Sequence, residues 1–292
     1  MPVDSLTGDV REKVDAWLES LLEPNLRDNL DVLCPSRNDY GYDPFGFNPD
    51  YLKYLLPFAT LLYRKYFRAE VFGIERVPEQ GRVLLIANHS GQIPFDGLMI
   101  GVSMLVDRTP PRMLRSMVER WLPTLPFLSY LFPRWGQIVG TPENCRMLLE
   151  QEGAILVFPE GVRGSNKTFD KRYQLQEFGS GFMRLALEHR VPIVPVAVIG
   201  GEEQIVSLWN AEKVGRLVGM PALPIGPGLL FGPLGMVTPL PTKYRIYYGE
   251  PMYFHGESDD DDRAISEKVD EVKRVLDLMI HDGLQQRNGI FT

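Results

Sequence analysis

The sequence is poor in the residues on which several protein classes depend. It has 2 cysteines, Cys34 and Cys145, and 4 histidines among 292 residues. So few cysteines exclude a disulfide framework and a cysteine-rich zinc site, and the histidines show no metal-ligand spacing. Acidic residues outnumber basic ones by 38 to 31, for a net charge of −7, so no nucleic acid partner is expected.

Long apolar runs are also missing. The start of the chain lacks the basic and apolar regions of a signal peptide, and no run of about 20 uncharged apolar residues can span a bilayer. Residues 51–67 are apolar but contain Pro57 and basic side chains, whereas residues 217–242 are uncharged but contain six prolines. Both segments can lie on a membrane surface without crossing it. The plainer alternative is that they are core or surface loops.

The remaining pattern is that of an ordinary globular protein, with 44% apolar and 24% charged residues. Apolar strands alternate with amphipathic helices, which predicts an α/β fold with a mixed, mostly parallel sheet covered by helices on both faces. The predicted strands are 69–73, 82–87, 137–139, 154–158, 193–199 and 244–248. The predicted helices are 9–23, 49–68 with a bend near Pro57, 96–106, 142–152, 181–189 and 262–283. We divide the chain into an N-terminal helical, membrane-docking region (1–68), an α/β domain (69–255) and an acidic loop with an amphipathic helix (256–292).

Polar residues follow the predicted strand 82–87. The strand leads to Asn88, His89 and Ser90, and Asp96 opens the next helix. A histidine whose ring is held by a carboxylate can act as a general base. Taken alone, His89 is better explained as a structural histidine.

A second polar group follows the strand 154–158. The sequence reads FPEGVR from Phe158 to Arg163. Glu160 and Arg163 can clamp a polar head group, since a guanidinium suits bidentate phosphate contact, and Gly161 permits close approach of a ligand. The alternative is a polar turn with a local ion pair.

Three blocks together resemble one family. They are Asn88-His89 with Asp96, the FPEGVR stretch at 158–163, and VPIVP at 191–195. Their order and types resemble the signatures of the glycerophospholipid acyltransferase family, typified by lysophosphatidic acid acyltransferase. The resemblance covers about residues 68–251.

The resemblance implies acyl transfer from a thioester, acyl-CoA or acyl carrier protein, to the hydroxyl of a glycerolipid such as a lysolipid, in phospholipid biosynthesis. It implies that His89 is the catalytic base, oriented by Asp96, and that backbone N–H groups near Gly161 stabilise the oxyanion. It implies no metal and no cofactor. The residues assigned to substrate binding are Asn88, Ser90, Glu160, Gly161 and Arg163.

Two departures from the family pattern leave questions open. Six residues, instead of four, separate His89 from Asp96. The stretch GQIVGTP at 136–142 lacks the arginine that usually helps to hold the acceptor phosphate. Arg134, Arg146 or Lys167 are candidate substitutes; otherwise the acceptor is not a simple phosphomonoester.

Several alternatives therefore remain at this stage. The acceptor can be a lysophospholipid, a diacylglycerol or another hydroxy-lipid, and a non-catalytic lipid-binding protein is a different class. A serine hydrolase is disfavoured because Gly179-Ser180-Gly181 is not a nucleophile elbow. The expected location is the cytoplasmic face of a membrane, in peripheral or monotopic attachment.

Overall fold

The computed structural model describes residues 8–28, 30–34, 37–90, 94–124, 128–217 and 222–292. Parts of the sequence predictions, at residues 1–7, in the loop 91–93 and at Pro221, lie outside the described residues. Apolar residues at helical spacing form helix α1 (Gly8–Ser20), and Pro24 begins the short helix α2 (Pro24–Arg27).

The next helical segment begins at Pro49, as predicted, and Asn48 caps it. The Asn48 side-chain oxygen accepts the backbone N–H of Asp50 at 2.9 Å, which satisfies one of the donors left free at a helix start. The segment consists of a 3₁₀ turn (Pro49–Tyr51), helix α3 (Leu52–Leu61), which contains Pro57, and a π-helical turn (Leu62–Tyr66).

Among the described residues, seven strands form the main sheet and two more form a small antiparallel sheet. The strands are β1 (Glu70–Phe72), β2 (Val83–Ala87), β3 (Leu114–Val118), β4 (Ile138–Val139), β5 (Ala154–Val157), β6 (Ile193–Ile199), β7 (Trp209–Ala211), β8 (Leu223–Ile225) and β9 (Arg245–Tyr248). The main sheet has the order β1-β9-β6-β2-β5-β3-β4, and β7 pairs with β8. Neighbouring strands of the main sheet run parallel except β6 and β9.

Helices cover both faces of this sheet. The remaining helices are α4 (Phe95–Val106), α5 (Leu128–Arg134), α6 (Pro142–Glu150), α7 (Val162–Ser165), α8 (Gly181–His189), α9 (Glu212–Leu217), α10 (Gly232–Val237) and α11 (Asp262–Gln286). On one face, Leu85 of β2 packs in a cluster with residues of α3 and α4. On the other, Leu84 and Ile86 pack with residues of α6, α8 and α11. The predicted fold class is confirmed.

The N-terminal helices share the first of these cores. Leu22 and Leu26 belong to the same buried cluster as β2. The described part of the region 1–68 thus packs on the sheet, and the division of this region from the α/β domain stays a prediction.

The sheet order brings the two polar groups of the sequence together. Strand β2 lies beside β5 and parallel to it, with Ile86 opposite Val157. Residues that follow the two strands therefore meet at the same edge, where open α/β sheets bind ligands.

Residues 201–242, which we call the excursion, connect β6 to β9. They contain the two-stranded sheet of β7 and β8, helix α9, a 3₁₀ helix (Pro227–Phe231) and α10. The two ends of the excursion meet, since the Thr242 hydroxyl donates to the Gly200 carbonyl at 2.9 Å.

Candidate active site

His89 and Asp96 form a hydrogen-bonded pair at this edge of the sheet. The Nδ1 atom of His89 lies 2.7 Å from Oδ2 of Asp96, although six residues separate them. Asp96 is fully buried in the first turn of α4, whereas 15% of the His89 side chain is exposed. Among the described residues, nothing bonds to the other ring nitrogen of His89, Nε2. That nitrogen is the one that can take a proton from a substrate.

The Asp96 carboxylate is held by further donors. Oδ2 accepts the Ser90 N–H at 2.8 Å and the Ser90 hydroxyl at 3.2 Å, and Oδ1 accepts the Gly97 N–H at 2.8 Å. These contacts fix the carboxylate and, through it, the orientation of the imidazole. The predicted site residue Ser90 thus supports Asp96.

Opposing effects act on the pKa of His89. Burial lowers it and is the largest single influence, but the charge and hydrogen bond of Asp96, with a contribution from Glu160, outweigh burial and the charge of Lys167. The pKa of His89 therefore lies above its usual value, which makes the imidazole a stronger base. The Phe158 ring stacks on His89 with centroids 4.3 Å apart and 25° between the planes, which also restricts the imidazole.

Glu160 connects the second block to the first. Its Oε1 atom accepts the backbone N–H of His89 at 3.0 Å, and Oε2 accepts that of Gln176 at 2.8 Å. The side chain is 1% exposed. The structure therefore turns this carboxylate towards the backbone of the His89 segment, and not towards a head group as the sequence suggested.

A buried cation, which the sequence did not single out for this place, neutralises Glu160. The Lys167 ammonium lies 3.3 Å from Oε2 of Glu160 and 2.9 Å from Oε1 of Glu202. The second oxygen of Glu202 accepts the Tyr173 N–H at 2.7 Å. Burial raises the pKa of Glu202. Lys167 is thus occupied between two carboxylates and is not free to replace the missing phosphate-binding arginine.

The other predicted substrate-binding residues are placed differently. Arg163 has a side chain that is 56% exposed, and it forms a surface ion pair with Glu177 at 3.1 Å. The Asn88 side chain is fully buried and bonds to both the N–H and the carbonyl of Val198, so it ties β2 to β6. The Gly161 N–H already donates to the Phe158 carbonyl at 3.0 Å and so is not a free oxyanion donor. An oxyanion donor near Gly161 stays a prediction.

Two adjacent cavities lie beside Phe158 and share part of their lining. One of about 480 Å³ is lined by residues 157–163 and Phe182, and includes Arg163. The other, of about 630 Å³, shares Val157, Phe158, Gly181 and Phe182 with the first and extends to Arg120, Arg146 and Arg184. Together they form a partly apolar groove with cationic side chains along it.

The two arginines that could replace the missing phosphate-binding arginine, Arg134 and Arg146, already interact with other side chains. Arg134 stacks on Tyr130, its Cζ atom lying 3.4 Å from the ring centroid, and Arg146 pairs with Glu188 at 2.9 Å. Arg120 is exposed at the groove and forms no hydrogen bond or close ion pair among the described residues. Sequence reasoning missed it because β3, the strand it follows, was not recognised.

Several apolar side chains of the predicted docking helix pack inside the protein. Leu52, Leu56 and Ala59 are buried in the sheet cluster. Arg64 pairs with Asp107 at 2.7 Å and with Glu23 at 3.2 Å. Docking through this helix and its basic flank stays a prediction, with much of the helix's apolar and charged surface already in use.

The excursion, like Phe58 and Leu61 of α3, exposes large apolar side chains. Leu230 is 87% exposed and Phe231 is 82% exposed at the end of its 3₁₀ helix. Within the described parts of the chain, no helix combines the length and the apolar character needed to cross a membrane.

Curated relatives cover most of the chain. An uncharacterized protein of Mycobacterium leprae is 37% identical over 87% of this chain and 70% of its own length, and one of Mycobacterium bovis is 36% identical over 87% and 72%. A Bos taurus protein named DGAT1/2-independent enzyme synthesizing storage lipids is 28% identical, over 63% of this chain and 52% of its own length.

A solved structure shares the fold. The crystal structure of the 1-acyl-sn-glycerophosphate (LPA) acyltransferase PlsC from Thermotoga maritima superposes with a TM-score of 0.53 and 18% identity, over 82% of each chain. The acyltransferase family model matches residues 68–199, the stretch that holds His89, Asp96 and the 158–163 block. With these matches, the resemblance drawn from the sequence is confirmed, and the chain belongs to the acyltransferase family.

Proposed function

We propose that this enzyme transfers a fatty acyl group from a thioester donor to a hydroxyl of a glycerolipid. The observation that carries the proposal is the hydrogen bond between His89 Nδ1 and the buried Asp96. It leaves Nε2 as the acceptor for a substrate proton and stabilises the imidazolium that then forms. A positioned base of this kind contributes about 10²- to 10⁴-fold to a rate.

The reaction needs no covalent acyl-enzyme. The acceptor hydroxyl loses its proton to Nε2 of His89 while its oxygen attacks the thioester carbonyl carbon. The C–S bond then breaks, and the proton passes to the thiolate, which leaves as a free thiol. The groove beside Phe158 is the proposed entry for both reactants, and acyl-CoA and acyl carrier protein are the proposed donors.

The first candidate acceptor is an anionic lysolipid such as lysophosphatidic acid. Arg163 and Arg120 support it, because both are exposed cations on the groove. Guanidinium groups suit phosphate recognition.

The second candidate is a neutral glycerolipid such as diacylglycerol. It is favoured by the state of Arg134, Arg146 and Lys167, all of which are engaged with other side chains. The name of the Bos taurus relative, an enzyme synthesizing storage lipids, points the same way.

We also propose peripheral attachment to a bilayer, on the cytoplasmic face, through the excursion. Its exposed Leu230 and Phe231 and the absence of charge from residues 222–242 suit the interface between water and acyl chains.

The test is an acyl-transfer assay with the full chain in detergent. Labelled acyl-CoA or acyl carrier protein is supplied with lysophosphatidic acid, lysophosphatidylcholine or diacylglycerol, and His89→Ala is the control. Label on an acceptor supports transfer and identifies the acceptor. Free fatty acid alone would indicate a hydrolase, and no product with any pair would favour a lipid-binding protein, so both outcomes contradict the proposal.

A further inference from the structure

The excursion encloses a cavity that is separate from the groove beside Phe158. It has a volume of about 480 Å³ and is lined by residues of the excursion together with Tyr66. None of the described residues that line it is Asp, Glu, Lys, Arg or His. A cavity of this size is in the range that holds small ligands, and its lining suits an apolar one.

One polar side chain in the wall of this cavity has an atom without a hydrogen-bond partner. Gln204 is fully buried, and its Nε2 atom has no hydrogen-bond acceptor among the described residues. Its Oε1 atom accepts the Tyr244 hydroxyl at 2.8 Å, which fixes the amide. A buried donor without a partner is destabilising, so a small shift of the amide that brings Nε2 to a ligand oxygen would relieve the cost.

The excursion begins beside the support of the catalytic pair. Gly201, three residues before Gln204, approaches Ser90 so closely that a Cβ atom there would lie 2.2 Å from the Ser90 hydroxyl oxygen. That hydroxyl donates to Asp96. At the outer side, the exposed ring of Phe231 also lines the cavity, so the cavity reaches the surface of the excursion.

From these observations we infer that the excursion cavity binds a fatty acyl chain, whose ester or carboxyl carbonyl oxygen accepts a hydrogen bond from Gln204 Nε2. The apolar lining takes the chain, and the unpartnered amide takes the carbonyl group. The inference rests on the proposed function for the lipid class of its ligand. The chain can come from the acceptor substrate or from a bilayer lipid.

The first test maps the site without altering it. A photoactivatable fatty acid with a diazirine in its chain is bound to His89→Ala protein, irradiated, and located by mass spectrometry. We expect cross-links in residues 204–206 and 224–241. Cross-links confined to residues 157–185 would overturn the inference.

The second test measures oleate affinity in the same His89→Ala background, without an acyl donor, by equilibrium binding. We expect Gln204→Met to weaken binding about fivefold, the loss of one hydrogen bond. Tyr244→Phe removes the neighbouring hydrogen bond but keeps the amide donor, so it should stay within twofold. Because no turnover is involved, failure of binding and failure of acyl transfer are separate results.

A filling variant completes the test. Met236→Trp should weaken oleate binding at least tenfold, while Met147→Trp, the same change on exposed α6, should not. Parental affinity in both Gln204→Met and Met236→Trp would refute the inference. In the otherwise native protein, a rise in KM for the acceptor identifies a substrate chain as the ligand, and weaker binding to phosphatidylcholine vesicles identifies a bilayer lipid.

Discussion

The backbone N–H of His89 donates to the side chain of Glu160 at 3.0 Å, across 71 positions of sequence. The two blocks that carry the family resemblance are therefore joined by a direct hydrogen bond. Through Glu160, the position of His89 also depends on Lys167 and Glu202, which lie deeper in the protein.

Lys167→Met should lower stability, because it leaves Glu160 and Glu202 buried without their shared cation. Breaking a buried ion pair in this way costs about 3–5 kcal/mol. Thermal unfolding measures the loss, and Lys171→Met, at an exposed lysine nearby, is the control. The charge of Lys167 lowers the pKa of His89, so the acid limb of the rate profile should also move to higher pH. A variant as stable as its parent would contradict this view of the network.

His89→Ala should remove nearly all acyl transfer, a loss of at least about 10²-fold, because the base is gone. Asp96→Asn should cost less, since the imidazole remains but its orientation and tautomer are no longer enforced. Initial rates measure both effects, and circular dichroism checks that the fold is kept. Activity of His89→Ala within tenfold of the parent would rule out the proposed base.

The rate should rise with pH through the pKa of His89, because only the neutral imidazole accepts a proton. Asp96 raises that pKa above its ordinary value of 6.5, so the midpoint of kcat/KM should lie above 6.5. In Asp96→Asn the lowering by burial is no longer opposed by that charge, and the midpoint should move to lower pH. A midpoint that Asp96→Asn leaves unchanged would assign the acid limb to another group.

Arg163→Ala should raise the KM for an anionic acceptor about tenfold or more, the loss of a charge-assisted hydrogen bond, and affect the donor less. Arg163→Lys should raise this KM less than Arg163→Ala does but should not restore the parental value, because the bidentate guanidinium fork is lost. Glu177→Gln removes the surface partner of Arg163 and is the control for their ion pair. Equal effects of Arg163→Ala on both substrates would assign Arg163 a structural role.

Replacing Leu230 and Phe231 by serine should weaken binding to lipid vesicles at both low and high salt, since apolar burial does not depend on ionic strength. Burying two such side chains contributes roughly 3–6 kcal/mol, so the loss should exceed tenfold. Leu278→Ser, at an exposed position of α11, is the matched control. Co-sedimentation measures binding, and equal losses in both variants would argue against a specific docking surface.

The strands that the sequence predicted best are those without polar interruption. Strand β6 (Ile193–Ile199) is buried along its whole length and has the predicted bounds. Strand β3 was missed because Arg115 and Ser116 break its apolar pattern. The buried Arg115 is compensated by Asp43 at 2.5 Å and by the ring of Phe47, which come from a loop far back in the chain. A partner 72 positions away leaves no local signal.

The same limit applies to the site. His89 and Asp96 were predictable because they are close in sequence: His89 follows the end of a strand, and Asp96 lies at the start of the next helix. The neutralisation of Glu160 by Lys167 was not predictable from the sequence. Lys167 also pairs with Glu202, which lies 35 positions further on. The inward orientation of Glu160 depends on this sharing and so became visible only in three dimensions.

The meeting of the excursion's ends at Gly200 and Thr242 has an evolutionary consequence. Strands β6 and β9 are antiparallel neighbours, so the stretch between them begins and ends at one point of the scaffold. Its outer part can be lengthened, shortened or exchanged without a change in the strand order of the sheet or in the position of His89. Lineages with a common chemical centre can therefore diversify their lipid contacts by replacing one contiguous piece of gene, and chimeras joined at this point would allow those contacts to be compared.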